Sequence, residues 1–137
     1  MNCPVCSQPL IILELDRIEV DYCTNCHGVW LDEDELELLL QDSEEKNILL
    51  SSFELDKNNK EKSVRCPICS KKMDKMLCGE KEKVMLDKCP RQHGLWFNKG
   101  ELESVVEMGS LDLPDRQAGK QNKLVKLLRE MFAYNLS

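Results

Sequence analysis

The sequence predicts a small α+β fold built from two tandem copies of one unit. Each unit is a β-hairpin followed by a helix, and a further helix lies at the C-terminal end. Three observations predict it. The chain repeats itself: Cys-Pro-Val-Cys-Ser at Cys3 to Ser7 returns as Cys-Pro-Ile-Cys-Ser at Cys66 to Ser70, and His27-Gly28-Val29-Trp30 returns as His93-Gly94-Leu95-Trp96. Among its 137 residues are 8 cysteines, most of them in spaced pairs. Aromatic residues make up only 5% although 42% of the chain is hydrophobic, so neither unit has the large side chains a free-standing core requires. Domains this small need a covalent or metal staple. Here the staple is expected to be thiol-bound metal, which makes the fold metal-stabilised.

Disulfides are the alternative use of eight cysteines, and they belong to export. The start, Met1 to Cys6, carries no basic stretch, and no apolar run reaches the length of a signal-peptide core or a membrane span. A reduced, cytoplasmic chain is therefore expected, with no membrane contact. Its formal net charge is −6 with cysteines counted as neutral. Seven metal-bound thiolates and two divalent ions bring that to about −9. Such a balance suits a protein partner better than a phosphate backbone.

The elements follow in order. Residues 1–42 form the first unit. Its Cys-Pro-x-Cys knuckle leads into strands at residues 10–15 and 18–22, with Asp16 and Arg17 at the turn. Ile18, Val20 and Tyr22 alternate with Glu19 and Asp21, the period of a half-buried strand. A second cysteine pair, Gly28 and Trp30 come next. Asp32 with Glu35 fits a capping box ahead of a helix whose apolar face is Leu36, Leu39 and Leu40. Residues 43–63 read as a helical and polar linker. Residues 64–108 repeat the unit, with strands near residues 73–78 and 83–88 around a turn at Gly79. Asn98 with Glu101 repeats the capping box, and Leu102, Val105 and Val106 repeat the apolar face. The offset between the copies grows by three residues inside the unit, which places a small insertion in the second hairpin turn. Residues 109–137 are an irregular stretch around Pro114 followed by an amphipathic helix, with Leu124, Leu127, Leu128, Met131 and Phe132 on one side. That helix is a candidate for self-association.

The cysteines set out two candidate metal sites. Cys3, Cys6, Cys23 and Cys26 form two Cys-x-x-Cys pairs a hairpin apart, the spacing of a four-thiolate zinc centre. A knuckle supplies two sulfurs from one side, and the hairpin carries a second pair to complete the tetrahedron. In the second unit Cys66, Cys69 and Cys89 recur, but Gln92 stands where Cys26 stood. His93, one residue further on, is the expected fourth ligand; Cys78 is its rival. Cys78 aligns with Leu15, a mid-strand position, and so also reads as a small core residue. His27 sits beside a complete set of cysteines and is not expected to ligate. Gly28 and Gly94 are expected to take positive φ after the knuckle, and Trp30 and Trp96 to be core rather than binding residues, since each unit has little else large enough to cover its sheet.

Other chemistries fit less of the chain. Cys23-Thr24-Asn25-Cys26-His27 also matches a c-type haem attachment pattern, which leaves Cys3 and Cys6 unexplained and fails in the second copy. A thioredoxin-like pair needs a larger α/β domain. Iron uses the same four cysteines as zinc, and a thiol switch that releases zinc on oxidation uses the same centres. Each site is closed by four ligands, and the carboxylates from Asp32 to Glu37 sit where they favour a helix start. No catalytic residue and no organic cofactor site is expected; the cofactors are two Zn2+ ions.

The first unit, with Cys3, Cys6, Cys23, Cys26, Gly28, Trp30, Leu31, Asp32, Glu35, Leu36 and Glu37, resembles the small bacterial zinc-ribbon family named for its similarity to the ribbon of transcription factor IIB. The second resembles it at Cys66, Cys69, Cys89, Gly94, Trp96, Glu101, Leu102 and Glu103, and departs at Gln92 and Asn98. The two copies span about 80 residues. The resemblance implies two tandem zinc ribbons and zinc binding, and its name suggests transcription. Two functions are weighed: a protein-interaction adaptor, and a nucleic-acid-binding protein using Lys71, Lys72, Lys75, Lys81, Lys83 and Lys88 of the second hairpin. Asp74, Glu80, Glu82 and Asp87 dilute that patch, and the adaptor is favoured.

Overall fold

A computed structural model describes residues 1–15, 18–40, 44–56, 63–79 and 83–108. The expected C-terminal helix, the centre of the polar linker and Lys81 lie outside them. The first copy contributes strands β1 (Ile11–Leu15), β2 (Ile18–Tyr22) and β3 (Val29–Leu31) and helix α1 (Glu33–Leu39). Helix α2 (Glu44–Ser51) and strand β4 (Glu54–Leu55) come from the stretch between the copies. The second copy contributes β5 (Asp74–Cys78), β6 (Val84–Lys88), β7 (Leu95–Phe97) and α3 (Glu101–Met108).

In the first copy β1 pairs antiparallel with β2, and Leu15 opposite Ile18 leaves two residues between them in the chain. In the second, Cys78 opposite Val84 leaves five between β5 and β6, so the three extra residues fall there. Both outer pairs then meet in one antiparallel sheet of seven strands, ordered β1-β2-β3-β7-β6-β5-β4. The seam is β3 against β7: Val29 faces Phe97, Trp30 faces Trp96, and Leu31 faces Leu95. That register is self-complementary, so a local two-fold axis runs between the two tryptophans, as in an isologous dimer interface.

The alternation of a strand sends neighbouring residues to opposite faces. Along the seam Val29, Leu31, Leu95 and Phe97 join Leu36, Leu39, Leu40, Leu49, Leu102, Val105 and Val106 in one apolar core beneath the helices. Trp30 and Trp96 join Cys3, Cys23, Cys66, Met73 and Cys89 in a second cluster. Every residue of β3 and β7 is buried, as expected of central strands covered on both faces. Burying each large apolar side chain contributes about 1.5–3 kcal/mol. Both copies contribute to both clusters.

A row of cross-strand neighbours crosses six of the seven strands: Ile12, Asp21, Trp30, Trp96, Asp87 and Lys75. At its second-copy end Lys75 meets the buried Asp87 carboxylate at 2.7 Å. The ion pair compensates a carboxylate that is only 1% exposed. At the other end Ile12 stands where symmetry would place a lysine.

Two helix starts diverge. Asp32 caps α1 in a full capping box: its side chain accepts from the Glu35 amide at 2.7 Å, and Glu35 accepts from the Asp32 amide at 2.9 Å. At α3 only half the expected box forms. Glu101 accepts from the Asn98 amide at 2.6 Å, but Asn98 Oδ1 accepts from the Trp96 indole N–H at 3.0 Å. The helix therefore begins after Gly100, whose φ of 84° turns the chain. Strand β4 was not foreseen. It pairs Glu54 with Leu77 and Leu55 with Met76 on the edge of β5, so part of the stretch read as linker belongs to the second copy's sheet. Two residues are too few to show a period.

Candidate metal centres

Four knuckles on one face of the sheet hold the candidate ligands. In each, the first cysteine is buried and the second ligand half-buried. Backbone amides point at the inner sulfurs. Val5 N–H donates to Cys3 Sγ at 3.4 Å, Cys26 N–H to Cys23 at 3.2 Å, Ile68 N–H to Cys66 at 3.4 Å and Arg91 N–H to Cys89 at 3.4 Å. Three knuckles close alike: the amides of Ser7, His27 and Ser70 donate to the carbonyls of Cys3, Cys23 and Cys66 at 2.8–3.0 Å. Those three residues take φ of 64–66°, a left-handed conformation that lets the chain leave the turn.

The fourth knuckle is tighter by one residue. Gln92 N–H donates to the Cys89 carbonyl at 2.9 Å, and Gln92 itself takes the left-handed φ of 62°. The left-handed residue thus precedes the ligand instead of following it, and His93 turns inward. Its Nδ1 lies 3.6 Å from Cys89 Sγ and 3.8 Å from Cys66 Sγ. His27, at the corresponding position of the first copy, shares a 2.9 Å hydrogen bond through Nδ1 with the Tyr22 hydroxyl. Lys88 replaces Tyr22 in the second copy, so no phenol stands at the matching position of β6.

Two groups of four ligand atoms result: Cys3, Cys6, Cys23 and Cys26; and Cys66, Cys69, Cys89 and His93. Within each group all ligand atoms lie within 4.8 Å of one another. A tetrahedral ion with sulfur at about 2.3 Å and nitrogen at about 2.0 Å places sulfurs about 3.8 Å apart and sulfur and nitrogen about 3.5 Å apart. The separations found are 3.5 Å for Cys6 to Cys23, 3.6 Å for Cys69 to Cys89 and 3.6 Å for Cys89 to His93. The residues present fit a metal ion at both places.

Electrostatics points the same way. Burial pushes the Cys26 thiol upward, reinforced by Cys6 and by the charges of Cys3 and Cys23. Burial likewise raises Cys3, and raises Cys66 to about 11. The Asn25 side chain and the Gln8 backbone hold Cys6 down at about 6. Burial opposes ionisation of Cys89, but hydrogen bonds from the His93 and Arg91 amides and from Cys66 and Cys69 outweigh it. In the first cluster the charges of Cys3 and Cys23 oppose ionisation of Cys26, and a divalent ion would offset that repulsion.

Cys78 is not part of either group. It ends β5 fully buried in the apolar core beneath the helices, and burial, with the Glu101 charge, pushes its thiol up to about 12. It is a small core residue, as its alignment with Leu15 allowed.

One sequence expectation is corrected. Gly28 and Gly94 do not take positive φ; His27 and Gln92 do. The glycines are needed for space instead. A Cβ on Gly28 would lie 2.2 Å from Trp96 Cζ2, and one on Gly94 would lie 2.7 Å from Trp30 Cζ2. The tryptophans are core residues, but each packs on the other copy's glycine. Nothing in the sequence signals that exchange beyond the strict recurrence of Gly-x-Trp.

Comparison with curated proteins and with solved structures returns no match. The family model described as a transcription factor zinc-finger matches twice, over residues 2–42 and 65–108, once on each copy. Those matches cover more than half of the chain and contain both ligand sets, and the protein belongs to this zinc-ribbon family.

Proposed function

We propose that the protein holds two structural zinc ions, one in each cluster, and serves without catalysis as a rigid adaptor for a protein partner, in a role connected with transcription. The observation that carries the zinc reading is the donor set: four ligand atoms in each group, all within 4.8 Å of one another, the number a structural zinc ion takes. Thiolate and imidazole donors favour zinc over harder ions. The two ribbons, each a hairpin with its helix, then form a single platform with α1 and α3 on one face and the metal knuckles on the other.

Charge supports a protein partner. Of the lysines in the second hairpin, Lys75 is paired with Asp87 and Lys83 with Glu54. That reduces the basic patch on which a nucleic-acid role would depend. Among the described residues no helix is long and apolar enough to cross a membrane.

Native mass spectrometry of the untagged protein tests the metal reading. Two zinc ions are expected in the wild type, one in His93→Ala and two in Cys78→Ala. Iron in place of zinc, or loss of an ion in Cys78→Ala, overturns it. The adaptor role predicts a discrete protein recovered with zinc-loaded bait and lost after chelation; a salt-dependent gel shift with single- or double-stranded nucleic acid would overturn it in favour of the nucleic-acid role.

A further inference from the structure

We propose that Trp30 and Trp96 are positioning residues exchanged between the copies: Trp96 braces the Cys3, Cys6, Cys23 and Cys26 centre, and Trp30 braces the Cys66, Cys69, Cys89 and His93 centre. The inference rests on metal binding at both centres.

The brace acts where each knuckle closes. Gly28 lies two residues after the ligand Cys26, and its carbonyl accepts the Cys23 amide at 3.0 Å. Gly94 directly follows His93, and its carbonyl accepts the Cys89 amide at 3.1 Å. These hydrogen bonds fix the span between the two ligands of a knuckle. Against the first lies the benzo edge of Trp96, with Cζ2, Cη2 and Cε2 all within 2.9 Å of where a Gly28 Cβ would be. Against the second lies the same edge of Trp30. The seam register places the two rings opposite each other, so neither indole can be removed without opening space at the other copy's knuckle. Trp96 is further fixed by its indole hydrogen bond to Asn98. Both rings share one buried cluster with the inner cysteines of both centres. Outer supports of this kind orient the ligands, and their loss commonly weakens metal binding about 10- to 100-fold.

Cobalt titration of the full-length protein tests the exchange, because a four-sulfur centre and a three-sulfur, one-nitrogen centre give Co2+ different visible absorption. Trp96→Phe, which removes the benzo-ring atoms against Gly28, is expected to weaken the four-sulfur centre about 10- to 100-fold while the mixed centre changes far less. Trp30→Phe is expected to do the reverse. Gly28→Ala should eliminate the four-sulfur spectrum, and Gly28→Ala combined with Trp96→Phe should recover it to the level of Trp96→Phe alone. Weakening of each tryptophan's own centre, equal loss at both centres, or no recovery in the double variant would overturn the exchange. If Gly28→Ala does not fold, the two Phe variants decide by themselves. A wild type that takes up no Co2+ at either centre would instead remove the metal reading on which the exchange rests.

Discussion

At the residue scale, the two copies differ in a few side chains, and each difference has a local physical consequence. Tyr22 engages His27 in the first copy, while Lys88 stands at the matching position in the second, where His93 joins the cysteines as a candidate ligand. The substitution of Gln92 for a cysteine is accommodated because the left-handed turn moves back by one residue. The row across the sheet offers a sharper case. Asp87 has Lys75 opposite, but Asp21 has Ile12, which is 67% exposed. Burial raises the Asp21 carboxyl above its ordinary value, so the folded protein holds its proton more tightly than the unfolded chain does. The associated stability is present below the ordinary carboxylate range and is lost as pH rises through the raised value. At neutral pH the ionised group is therefore a liability. Ile12→Lys should give Asp21 the cross-strand partner that Asp87 has and stabilise the protein by about 0.2–1 kcal/mol at neutral pH. Thermal melting of the metal-loaded form at pH 7 checks it; an unchanged or lower melting temperature counts against it. Cys78 carries a second pH dependence. Its thiol is raised to about 12 from an ordinary 9.0, so stability should fall as pH climbs from about 9 to 12. Denaturant midpoints measured across that window in wild type and Cys78→Ala should diverge with this sign, and parallel curves would refute it.

At the element scale, what was legible in the sequence was whatever repeats over a few residues. Cysteine pairs, the alternation from Ile18 to Tyr22 and the Asp32 capping box depend on neighbours in the chain, and they could be placed from it. Strand β4 and the seam strands were not legible, because strands of two or three residues have no period to read and their partners are remote in sequence. Asn98 shows a local motif losing to a tertiary contact. It has the spacing of a capping box with Glu101, yet its side chain serves the Trp96 indole. The two helix starts should therefore respond differently to the same change. Asp32→Ala should remove about 1 kcal/mol of stability and leave tryptophan emission unchanged. Asn98→Ala should alter the emission of Trp96, whose buried N–H loses its acceptor. Fluorescence spectra and urea unfolding on the same samples separate the two; an unchanged spectrum in Asn98→Ala would mean that the hydrogen bond does not hold in solution.

At the scale of the whole molecule, the tandem repeat is less a pair of beads than a duplicated half of one structure. The sequence identified two units and a linker but carried no sign of whether they touch, since the contact consists of β3 on β7 and of two tryptophans seated on the opposite glycines. Those features resemble ordinary core positions when each copy is read by itself. Their joint consequence is thermodynamic. Neither copy can complete its apolar core or its knuckle packing until the other is folded, and folding of each knuckle depends on its metal. Binding the first ion therefore organises part of the second site, which is positive coupling between the centres. If the centres were independent and alike, about half of the molecules would carry a single ion at one equivalent of zinc, and unequal independent centres would raise that share. Native mass spectrometry at one equivalent should instead find the one-zinc share below one half, with metal-free and two-zinc protein making up the difference. A dominant one-zinc species would mean that the seam joins the copies without linking their metal sites, because the coupling requires that a half-loaded molecule lack the support its empty knuckle would have supplied across β3 and β7.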